Sequence, residues 1–498
     1  MEDILLQIYK ELNILDIKTC LHINHKFNSI GNHSMLWKYL LNRDYNIFPY
    51  NHRYLLFNNN YETYKLCHTL KNLKYSLGLV HMSIHELYFS KELTISEQIN
   101  VTKIPYQISV LKNLRKLKIY ILSNELLELP PLIGNLINLQ NLDLSRNTLE
   151  NIEFIGSLIN LRILNLECTN IKELPITLSN LINLRQLHLN SCTEIKIPDT
   201  IYKLINLEIL DLSDTENFMY KIPYEIENLV NLRQLLLGSS FDGVIPESLG
   251  NLTNLEILQL NFNGIETIPN SIGNLVNLEN LNLECNDIQL LPETIGALIN
   301  LKELNISRNF IKKLPDSLGN LMNLEVLYVS ETHELTQLPD TIGNLYRLQK
   351  LYANKNKLKY LPQSIGKLKN LRWLFVSHNK LRELPLSVYN LNKLCIFHCC
   401  ENKLTVISNK LENMKSLTDL SFGSNNITKI PSTINKLTNL TNLYLSGNKY
   451  YDLESDIKKL TTLTNLKELS LFWQYVKEEL TYKLKKELSM CLPSTNIY

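Results

Sequence analysis

The sequence predicts an α/β solenoid, with a parallel concave sheet of short strands, short helical or irregular convex segments, and a small N-terminal α-helical domain. The main observation is a pattern, LxxLxLxxNxL, that starts at sixteen leucines, and ten of the fifteen intervals between them are 23 residues long. A fixed period of this length is typical of solenoids, in which each repeat buries its apolar face against its neighbours. The start positions are 114, 139, 161, 184, 207, 232, 255, 278, 301, 324, 348, 371, 394, 417, 440 and 466.

Each repeat has two halves with different patterns. In residues 278–283, LENLNL, the leucines at the fourth and sixth places alternate with polar residues. This is the period of a short strand with one buried face. Apolar residues then return at irregular spacing from Ile288 to Leu298, and Pro292 interrupts any strand. The pattern therefore predicts a strand, a turn and a short helical or extended segment, with successive strands stacked in parallel.

Asparagine occupies the ninth place of nine repeats, where the chain must leave the strand and turn. One carboxamide supplies both a donor and an acceptor for buried backbone groups, so these residues are predicted to be structural. Thr, Cys or Ser stands there in five other repeats, which we expect to be locally softer because these side chains satisfy only part of the demand. The asparagines are Asn147, Asn263, Asn286, Asn309, Asn356, Asn379, Asn402, Asn425 and Asn448, and the replacements are Thr169, Cys192, Thr215, Ser240 and Thr332.

Over roughly residues 110 to 476 these repeats resemble the typical intracellular class of leucine-rich repeats, whose consensus is LxxLxLxxNxLxxLPxxIxxLxx. Sixteen copies make the resemblance specific. It implies a solenoid whose core grows lengthwise, so the 498 residues do not require several globular domains.

The charge and the cysteine content limit which partners and which cell compartment are expected. Fifty-one basic and 49 acidic residues leave a net charge of +2, and no run of five like charges occurs. Neither a nucleic acid nor an anionic membrane is therefore favoured as a partner. Nine scattered cysteines without paired caps are typical of a reduced, intracellular protein. With no secretory signal and no membrane span, the sequence predicts a cytoplasmic protein.

Residues 1–48 do not repeat, and three helical patterns run through them. A core of fewer than 50 residues is usually marginal alone, so we expect it to pack against the adjoining segment or a partner. The three apolar faces are Ile4, Leu5, Ile8 and Leu12; Ile17, Leu21, Asn24, Phe27 and Ile30; and Leu36, Trp37, Leu40 and Leu41.

The segments DILLQI, DIKTCLHINHKFNSI and LWKYL resemble an F-box at this spacing. In that family two helices dock on a small Skp-type adaptor, which carries the protein into a cullin ubiquitin ligase. The leading Leu-Pro of the family is absent, and Asn24 and His25 depart from its commonest residues. A helical cap for the solenoid is the alternative interpretation. The resemblance implies that the adaptor contacts are Ile4, Leu5, Ile8, Leu12, Ile17 and Ile23, with Trp37 in the closing L-W.

The sequence thus divides into four predicted parts. They are an F-box-like helical domain at 1–48, a connector and N-terminal cap at 49–110, the leucine-rich repeats at 111–476, and a C-terminal capping helix and tail at 477–498. The final helix is predicted from the four-residue spacing of Val476, Leu480, Leu484 and Leu488.

Within the connector, the stretch from Tyr61 to Leu73 predicts a helix, whereas Ile84, Leu87 and Phe89 resemble a degenerate first strand. An insertion in residues 213–229 lengthens the repeat that starts at Leu207, and the interval from Leu440 to Leu466 is 26 residues long. We expect their extra residues to form loops on one rim.

No motif of an enzyme is present. A glycine-rich phosphate loop, a GxSxG elbow, HExxH and paired CxxC motifs are all missing from the sequence, so we predict neither catalysis nor a cofactor. The closest group of metal-ligand types is Cys395, His398, Cys399 and Cys400. Strand alternation points His398 and Cys400 outward but Cys399 into the core, and a closed zinc site needs four ligands. No metal site is predicted.

The fifth place of each repeat points outward from the sheet. It is mostly short and polar from Asp143 to Asn305, and four rings then follow in a row, with Trp373 on the same face. Clustered exposed rings are typical of protein-binding hot spots, although drift on a tolerant surface would give the same pattern. The predicted partner-binding residues are Tyr328, Tyr352, Trp373, Phe375 and His398.

These observations predict a protein-interaction module, and more specifically the substrate-recognition subunit of a Skp/cullin-type ubiquitin ligase. The alternative is a scaffold or signalling regulator, because the repeats also resemble those of the Ras-group leucine-rich repeat proteins, which bind small GTPases or phosphatases. In that case the N-terminus is only a cap. Adaptor binding by residues 1–48 distinguishes the two.

Overall fold

The structure is a computed structural model, and it divides into two compact units, residues 1–184 and 185–498. The F-box-like residues Ile4, Leu5, Ile8, Leu12, Ile17 and Ile23 lie outside the described part of the chain. The four-part division of the sequence stays a prediction. The structure describes residues 34–45, 60–96, 103–121, 126–149, 151–193, 195–215, 221–451, 453–471 and 478–498.

Three α-helices precede the first strand: α1 (Ser34–Tyr45), α2 (Asn60–Ser76) and α3 (Ile84–Phe89). The third predicted helical face is confirmed, since Leu36, Trp37, Leu40 and Leu41 are all buried. Burial of this face is achieved against α2, where the Trp37 ring lies 4.7 Å from that of Tyr61 and 5.1 Å from that of Tyr64.

Helix α3 corrects the prediction of a strand at Ile84, Leu87 and Phe89. The Ser83 hydroxyl accepts from the Glu86 N–H at 3.1 Å, and the Ser83 N–H donates to the Glu86 carboxylate at 2.7 Å. This capping box starts a helix, which the three apolar residues alone could not reveal. The first strand, β1, follows at Glu92–Ser96, where Leu93 and Ile95 alternate with exposed residues.

The predicted fold class is confirmed, because each repeat contributes one strand to a parallel sheet. In the first compact unit β1, β2, β4 and β6 pair in that order, while β3 and β5 form a separate pair. Their bounds are β2 (Lys116–Tyr120), β3 (Leu126–Leu127), β4 (Asn141–Asp143), β5 (Thr148–Leu149) and β6 (Ile163–Asn165).

In the second compact unit, β7 to β20 pair in chain order, and equivalent places of neighbouring repeats stand opposite each other. Fourth-place leucines point inward, as in Leu281 and Leu304, which are fully buried. The strands are Gln186–His188, Ile209–Asp211, Gln234–Leu236, Ile257–Gln259, Asn280–Asn282, Glu303–Asn305, Val326–Tyr328, Lys350–Tyr352, Trp373–Phe375, Ile396–His398, Asp419–Ser421, Asn442–Tyr444, Glu468–Ser470 and Asn496–Ile497.

The opposite face consists of five-residue 3-10 helices, most of which begin directly after the proline of the repeat. Pro292, for example, is extended at φ −68° and ψ 149°, and the helix follows it. Proline has no N–H to lose at such a start, so it sets the boundary without cost. The 3-10 helices are 106–110, 131–135, 153–157, 176–180, 199–203, 224–228, 247–251, 270–274, 293–297, 316–320, 340–344, 363–367, 386–390, 409–413 and 432–436.

The long repeat after Leu440 carries an α-helix, α4 (Leu453–Leu460), where a rim loop was predicted. It packs against the 3-10 helix at 432–436, and its Asp456 is buried, accepting from the Ile430 N–H at 3.2 Å. The predicted capping helix is present as α5 (Glu478–Cys491), with Leu484 and Leu488 buried. The last residues then add strand β20 to the sheet, which the sequence did not predict.

The ninth-place asparagines bond to buried backbone groups, as predicted, and the structure shows that these groups belong to two repeats. Asn309 accepts from the Ile288 N–H at 3.0 Å and donates to the Leu283 carbonyl at 2.9 Å, both in the preceding repeat. Its amide also donates to Ile306 and Ser307 within its own repeat. By contrast, the hydroxyl of Thr215, one of the replacements, donates to the Leu212 carbonyl within its own repeat.

A second asparagine ladder, which the sequence pattern did not lead us to predict, runs along the start of the strands. In each case the side-chain amide donates to a backbone carbonyl of the preceding repeat, as Asn300 does to Val276 at 2.9 Å. The sequence feature that marks this ladder is an asparagine directly before the first leucine of a repeat. The members are Asn138, Asn160, Asn183, Asn231, Asn254, Asn277, Asn300, Asn323, Asn370, Asn439 and Asn465.

The two ladders should differ in their effect on stability. We expect Asn309→Ala to destabilise its region by about 2–4 kcal/mol, because buried backbone groups lose their partners. The matched control Asn300→Ala should cost under about 1 kcal/mol, because Asn300 is exposed and water can replace its single bond. Hydrogen exchange at the Ile288 amide would measure the difference. Equal protection in the two variants would contradict a structural role for the buried ladder.

Candidate functional site on the sheet face

The predicted binding residues lie together on the outward face of four consecutive strands. We name Tyr328, Tyr352, Phe375 and His398 the aromatic column; they stand opposite one another in the register of the sheet. All four are half-buried, while the leucine before each ring in the first three strands is fully buried. Strand alternation therefore places the rings outward, and parallel pairing aligns them.

The rings pack on one another rather than standing apart. Tyr328 and Tyr352 stack at 4.7 Å between ring centroids with 9° between planes, and Tyr352 and Phe375 stack at 4.9 Å with 6°. His398 closes the column edge-on, 4.9 Å from Phe375 at 81°. These spacings match the separation of neighbouring strands, about 4.8 Å. Both faces of Tyr352 are therefore covered, and the column offers ring edges to a partner.

Trp373 lies beside the column on the same strand as Phe375. Its ring meets that of Tyr352 edge-to-face at 6.5 Å, and the Lys350 ammonium lies 4.1 Å from its centroid, in a cation–π contact. Burial raises the pKa of Tyr328 and Tyr352, and the charge of Glu303 adds to the effect at Tyr328. At neutral pH the phenols are protonated, so they can donate hydrogen bonds at the edge of the column.

The polar residues at the same place in earlier repeats serve the backbone. Asn282 accepts from the Glu284 N–H at 3.0 Å, and Asn305 accepts from the Ser307 N–H at 3.1 Å, each two residues further on. Asp143, Asn165 and Asp211 do the same. The Tyr and Phe rings have no acceptor close to the backbone at this place, so their repeats must satisfy that N–H in another way.

The acceptor in the column comes from the preceding repeat. Ser307 accepts from the Ser330 N–H at 3.2 Å, Ser330 from the Asn354 N–H at 3.1 Å, and Asn354 from the Ser377 N–H at 2.9 Å. Ser377 in turn accepts from the Cys400 N–H at 3.1 Å. This seventh-place ladder begins where the rings begin. It frees the fifth place from its backbone role and leaves the rings available for contact.

A hydrogen bond between His398 and Asp419 closes the far end of the column. His398 Nε2 lies 2.7 Å from Asp419 Oδ1, and since a carboxylate only accepts, Nε2 carries the proton. Burial acts to raise the pKa of Asp419, but hydrogen bonds from His398 and Asn442 outweigh it and hold that pKa below its usual value. The pair fixes the orientation of the last ring.

The cysteines near the column form no metal site. Cys399 is fully buried, and Cys400 lies 3.0 Å from the Ser377 hydroxyl. Among the described residues, no group of three His, Cys, Asp or Glu side chains could hold a metal ion. In the same part of the chain, every helix is too short or too polar to cross a membrane.

Strands that pair from repeat to repeat within each compact unit, with one face of the sheet pointing outward, define a repeat protein. A family model, described as leucine-rich repeat region, matches residues 143–268, 266–360 and 340–443. The chain belongs to the leucine-rich repeat family. Proteins of this family generally mediate protein–protein interaction, and no family of enzymes was found.

Solved structures of similar proteins share the fold. A leucine-rich repeat protein of Leptospira interrogans is 28% identical, with 86% of this chain and 97% of that one covered and a TM-score of 0.70. The plant peptide hormone receptor RGFR1, solved in complex with RGF2, is 26% identical over 77% of this chain and 65% of that one, with a TM-score of 0.64. The functional domain of InlJ from Listeria monocytogenes is 16% identical, over 80% of this chain and 78% of that one, at a TM-score of 0.57, and shows the fold alone. No curated protein matches the sequence.

The His398–Asp419 pair predicts a pH-dependent stability. Asp419→Asn should lower the melting temperature near pH 6, because a hydrogen bond to a charged group contributes about 1.5–3 kcal/mol. The lowered pKa means that this stabilisation is complete above the ordinary value of 3.8 and is lost as the pH falls through the lower folded value. The difference between variant and wild type should therefore shrink below that pH. Thermal melts from about pH 6 to pH 2 measure it, and a constant difference would contradict the assignment.

Proposed function

We propose that this chain is a protein-interaction module that holds a protein partner on its concave sheet face, at the aromatic column and Trp373. The observation that carries the proposal is the column itself, four neighbouring rings in place of the short polar residues of earlier repeats. Trp and Tyr, which supply Trp373, Tyr328 and Tyr352 here, are enriched in measured binding hot spots.

The backbone contacts favour a binding role over drift. A ring introduced at the fifth place alone would leave an N–H of the turn without its acceptor, at a cost of about 1–3 kcal/mol if buried. In the column the seventh-place ladder, from Ser307 to Ser377, supplies that acceptor in four successive repeats. Drift at one place does not require a matching change at another. The rings thus depend on two places of the repeat: the fifth place carries the ring, and the seventh place of the preceding repeat supplies the acceptor.

The N-terminal part of the proposal is that residues 1–48 deliver the bound partner for ubiquitination. The basis is the resemblance of this segment to an F-box, which would make the chain the substrate-recognition subunit of a Skp/cullin-type ligase. A cytoplasmic location fits the eight cysteines of the described residues, none of which forms a disulfide bond.

The burial of Trp37 favours a second candidate, a scaffold or signalling regulator whose N-terminus is only a cap. Trp37 is 1% exposed and packs between the rings of α2, so it stabilises the chain's own helices and is not available to an adaptor. In this candidate the concave face binds its partner, such as a small GTPase or phosphatase, without delivering it to a ligase.

The first test removes two rings, with Tyr352→Ala and Phe375→Ala in one variant. Full burial of an aromatic side chain contributes about 1.5–3 kcal/mol, but these rings are already half-buried, so we expect about 1 kcal/mol from each. Binding of an isolated partner should weaken roughly 30-fold, measured by titration calorimetry.

Two controls separate a lost contact from a damaged fold. The exchange Tyr352→Phe with Phe375→Tyr keeps both rings and should bind within about threefold of the wild type. Tyr444→Ala removes a ring from the same sheet face outside the column, where its hydroxyl bonds Glu468 at 2.5 Å, and should leave binding unchanged. If the alanine pair binds as well as the wild type, or Tyr444→Ala loses as much, the partner binds elsewhere.

The second test addresses the ligase. Ile8→Asp should abolish binding of a purified Skp-type adaptor, because an unpaired charge in an apolar helix interface costs several kcal/mol by order of magnitude. The control Asn13→Asp adds the same charge at a polar place of the same segment and should bind. Equal binding of adaptor by wild type and Ile8→Asp, or none by the wild type, would leave the cap as the function of residues 1–48.

A further inference from the structure

A cluster of basic side chains lies on the turns that follow the strands of the column. They occupy the tenth and twelfth places of three successive repeats, which start at Leu348, Leu371 and Leu394. Five of these six places are basic, whereas the next repeat has Asn426 and Thr428 there. We name this set the basic row: Lys357, Lys359, Lys380, Arg382 and Lys403.

Backbone hydrogen bonds hold the basic row in register. The Lys357 N–H donates to the Leu335 carbonyl at 2.9 Å, the Lys380 N–H to Leu358 at 2.9 Å, and the Lys403 N–H to Leu381 at 2.8 Å. The Lys380 and Lys403 bonds join a tenth place to the eleventh place of the preceding repeat, and the Lys357 bond reaches the twelfth, Leu335, because the repeat that starts at Leu324 is one residue longer. The three lysines therefore begin one above the other at about the spacing of the strands, roughly 4.8 Å.

Most of this charge is not neutralised within the protein. Lys357 pairs with Glu334 at 2.7 Å, but Lys359, Lys380, Arg382 and Lys403 are exposed, and in the described part of the chain none lies within ion-pair distance of a carboxylate. The acidic residues beside the row are Glu383 and Glu401, and Glu401 is bound to His378 at 2.8 Å. A shallow cleft of about 500 Å³ opens between Arg382, Glu383, Lys403, Thr405 and Val406.

The basic row and the aromatic column occupy the same repeats. Lys380 follows Phe375 by five positions, and Lys403 follows His398 by five, so the Cα atoms of each pair are at most about 18 Å apart. The basic side chains of the row attract acidic groups of a partner that come within a Debye length, about 8 Å at physiological salt. We propose that the partner segment bound at the aromatic column carries acidic residues within about five positions of its apolar anchor, and that the basic row binds them. This inference rests on the proposed function of the column.

Single-stranded nucleic acid also combines negative charge with rings, but the geometry of the column disfavours it. Proteins bind such strands by stacking bases on free aromatic faces. Both faces of Tyr352 are covered by Tyr328 and Phe375, at 4.7 and 4.9 Å. At Tyr352, the centre of the column, only the ring edge is open, and an edge suits the aliphatic and aromatic side chains of a protein.

The test selects binders from a phage-displayed library of random 16-residue peptides on the full chain. The selected peptides should combine acidic residues with an aromatic or large aliphatic residue, and their affinity should fall as salt is raised, because exposed charges are screened. A labelled single-stranded oligonucleotide, titrated in parallel, should show no saturable binding. If the oligonucleotide binds saturably and this binding requires the basic row, the proposal is wrong and the ligand is a nucleic acid.

Matched variants then assign the contacts. Lys380→Glu with Lys403→Glu should weaken the selected peptides at least about tenfold, while Lys429→Glu with Lys449→Glu, at outward places of later repeats, should change affinity less than about twofold. Peptides without an acidic excess, or equal loss in both variants, overturn the inference. If Tyr352→Ala with Phe375→Ala still abolishes their binding, the proposed function stands alone. Binding that survives the alanine pair, or a library that yields no peptide, overturns both.

Discussion

Buried backbone that each repeat cannot satisfy alone is the constraint on which this structure depends. The three-residue strands pair with their neighbours, yet the turn that follows each strand leaves N–H and carbonyl groups inside the protein, where an unpaired group costs about 1–3 kcal/mol. The Asn309 side chain solves this for Ile288 and Leu283 of the preceding repeat, and the same contacts recur along the array. Stability is therefore a property of neighbours, as expected for a solenoid.

The same constraint decides which outward places are free to carry function. A fifth-place Asn or Asp accepts from the backbone two residues later, as Asn305 does from Ser307, so it is committed to the turn. From Ser330 to Cys400 a side chain of the preceding repeat accepts that hydrogen bond instead. Aromatic residues can then stand at the fifth place without stranding an N–H. Because parallel strands lie at about the stacking distance of rings, the column packs as soon as its members are adjacent.

Periodic features of the fold could be predicted from sequence because they repeat sixteen times and bury leucine. Features outside the repeat period could not be predicted in this way. Ile84, Leu87 and Phe89 carry no alternation that excludes a helix, and the capping box of Ser83 and Glu86 makes this segment a helix. Strand β20 is two residues long and has no pattern of its own. The Asn300 ladder is periodic, but its amides are exposed, and a search for buried polar residues passes over it.

The residues of the aromatic column could be predicted from strand alternation. The way their rings pack could be seen only from the side-chain geometry. Rings standing apart would each offer two faces, and a flat ligand could insert between them. Stacking at 4.7 and 4.9 Å removes that option and leaves a ridge of edges, with protonated phenols of Tyr328 and Tyr352 among them. Such a ridge is mostly apolar, and only the two phenol groups give it a directional preference. Discrimination between partners must then depend on the charges that flank it, which set the orientation and exclude like-charged competitors.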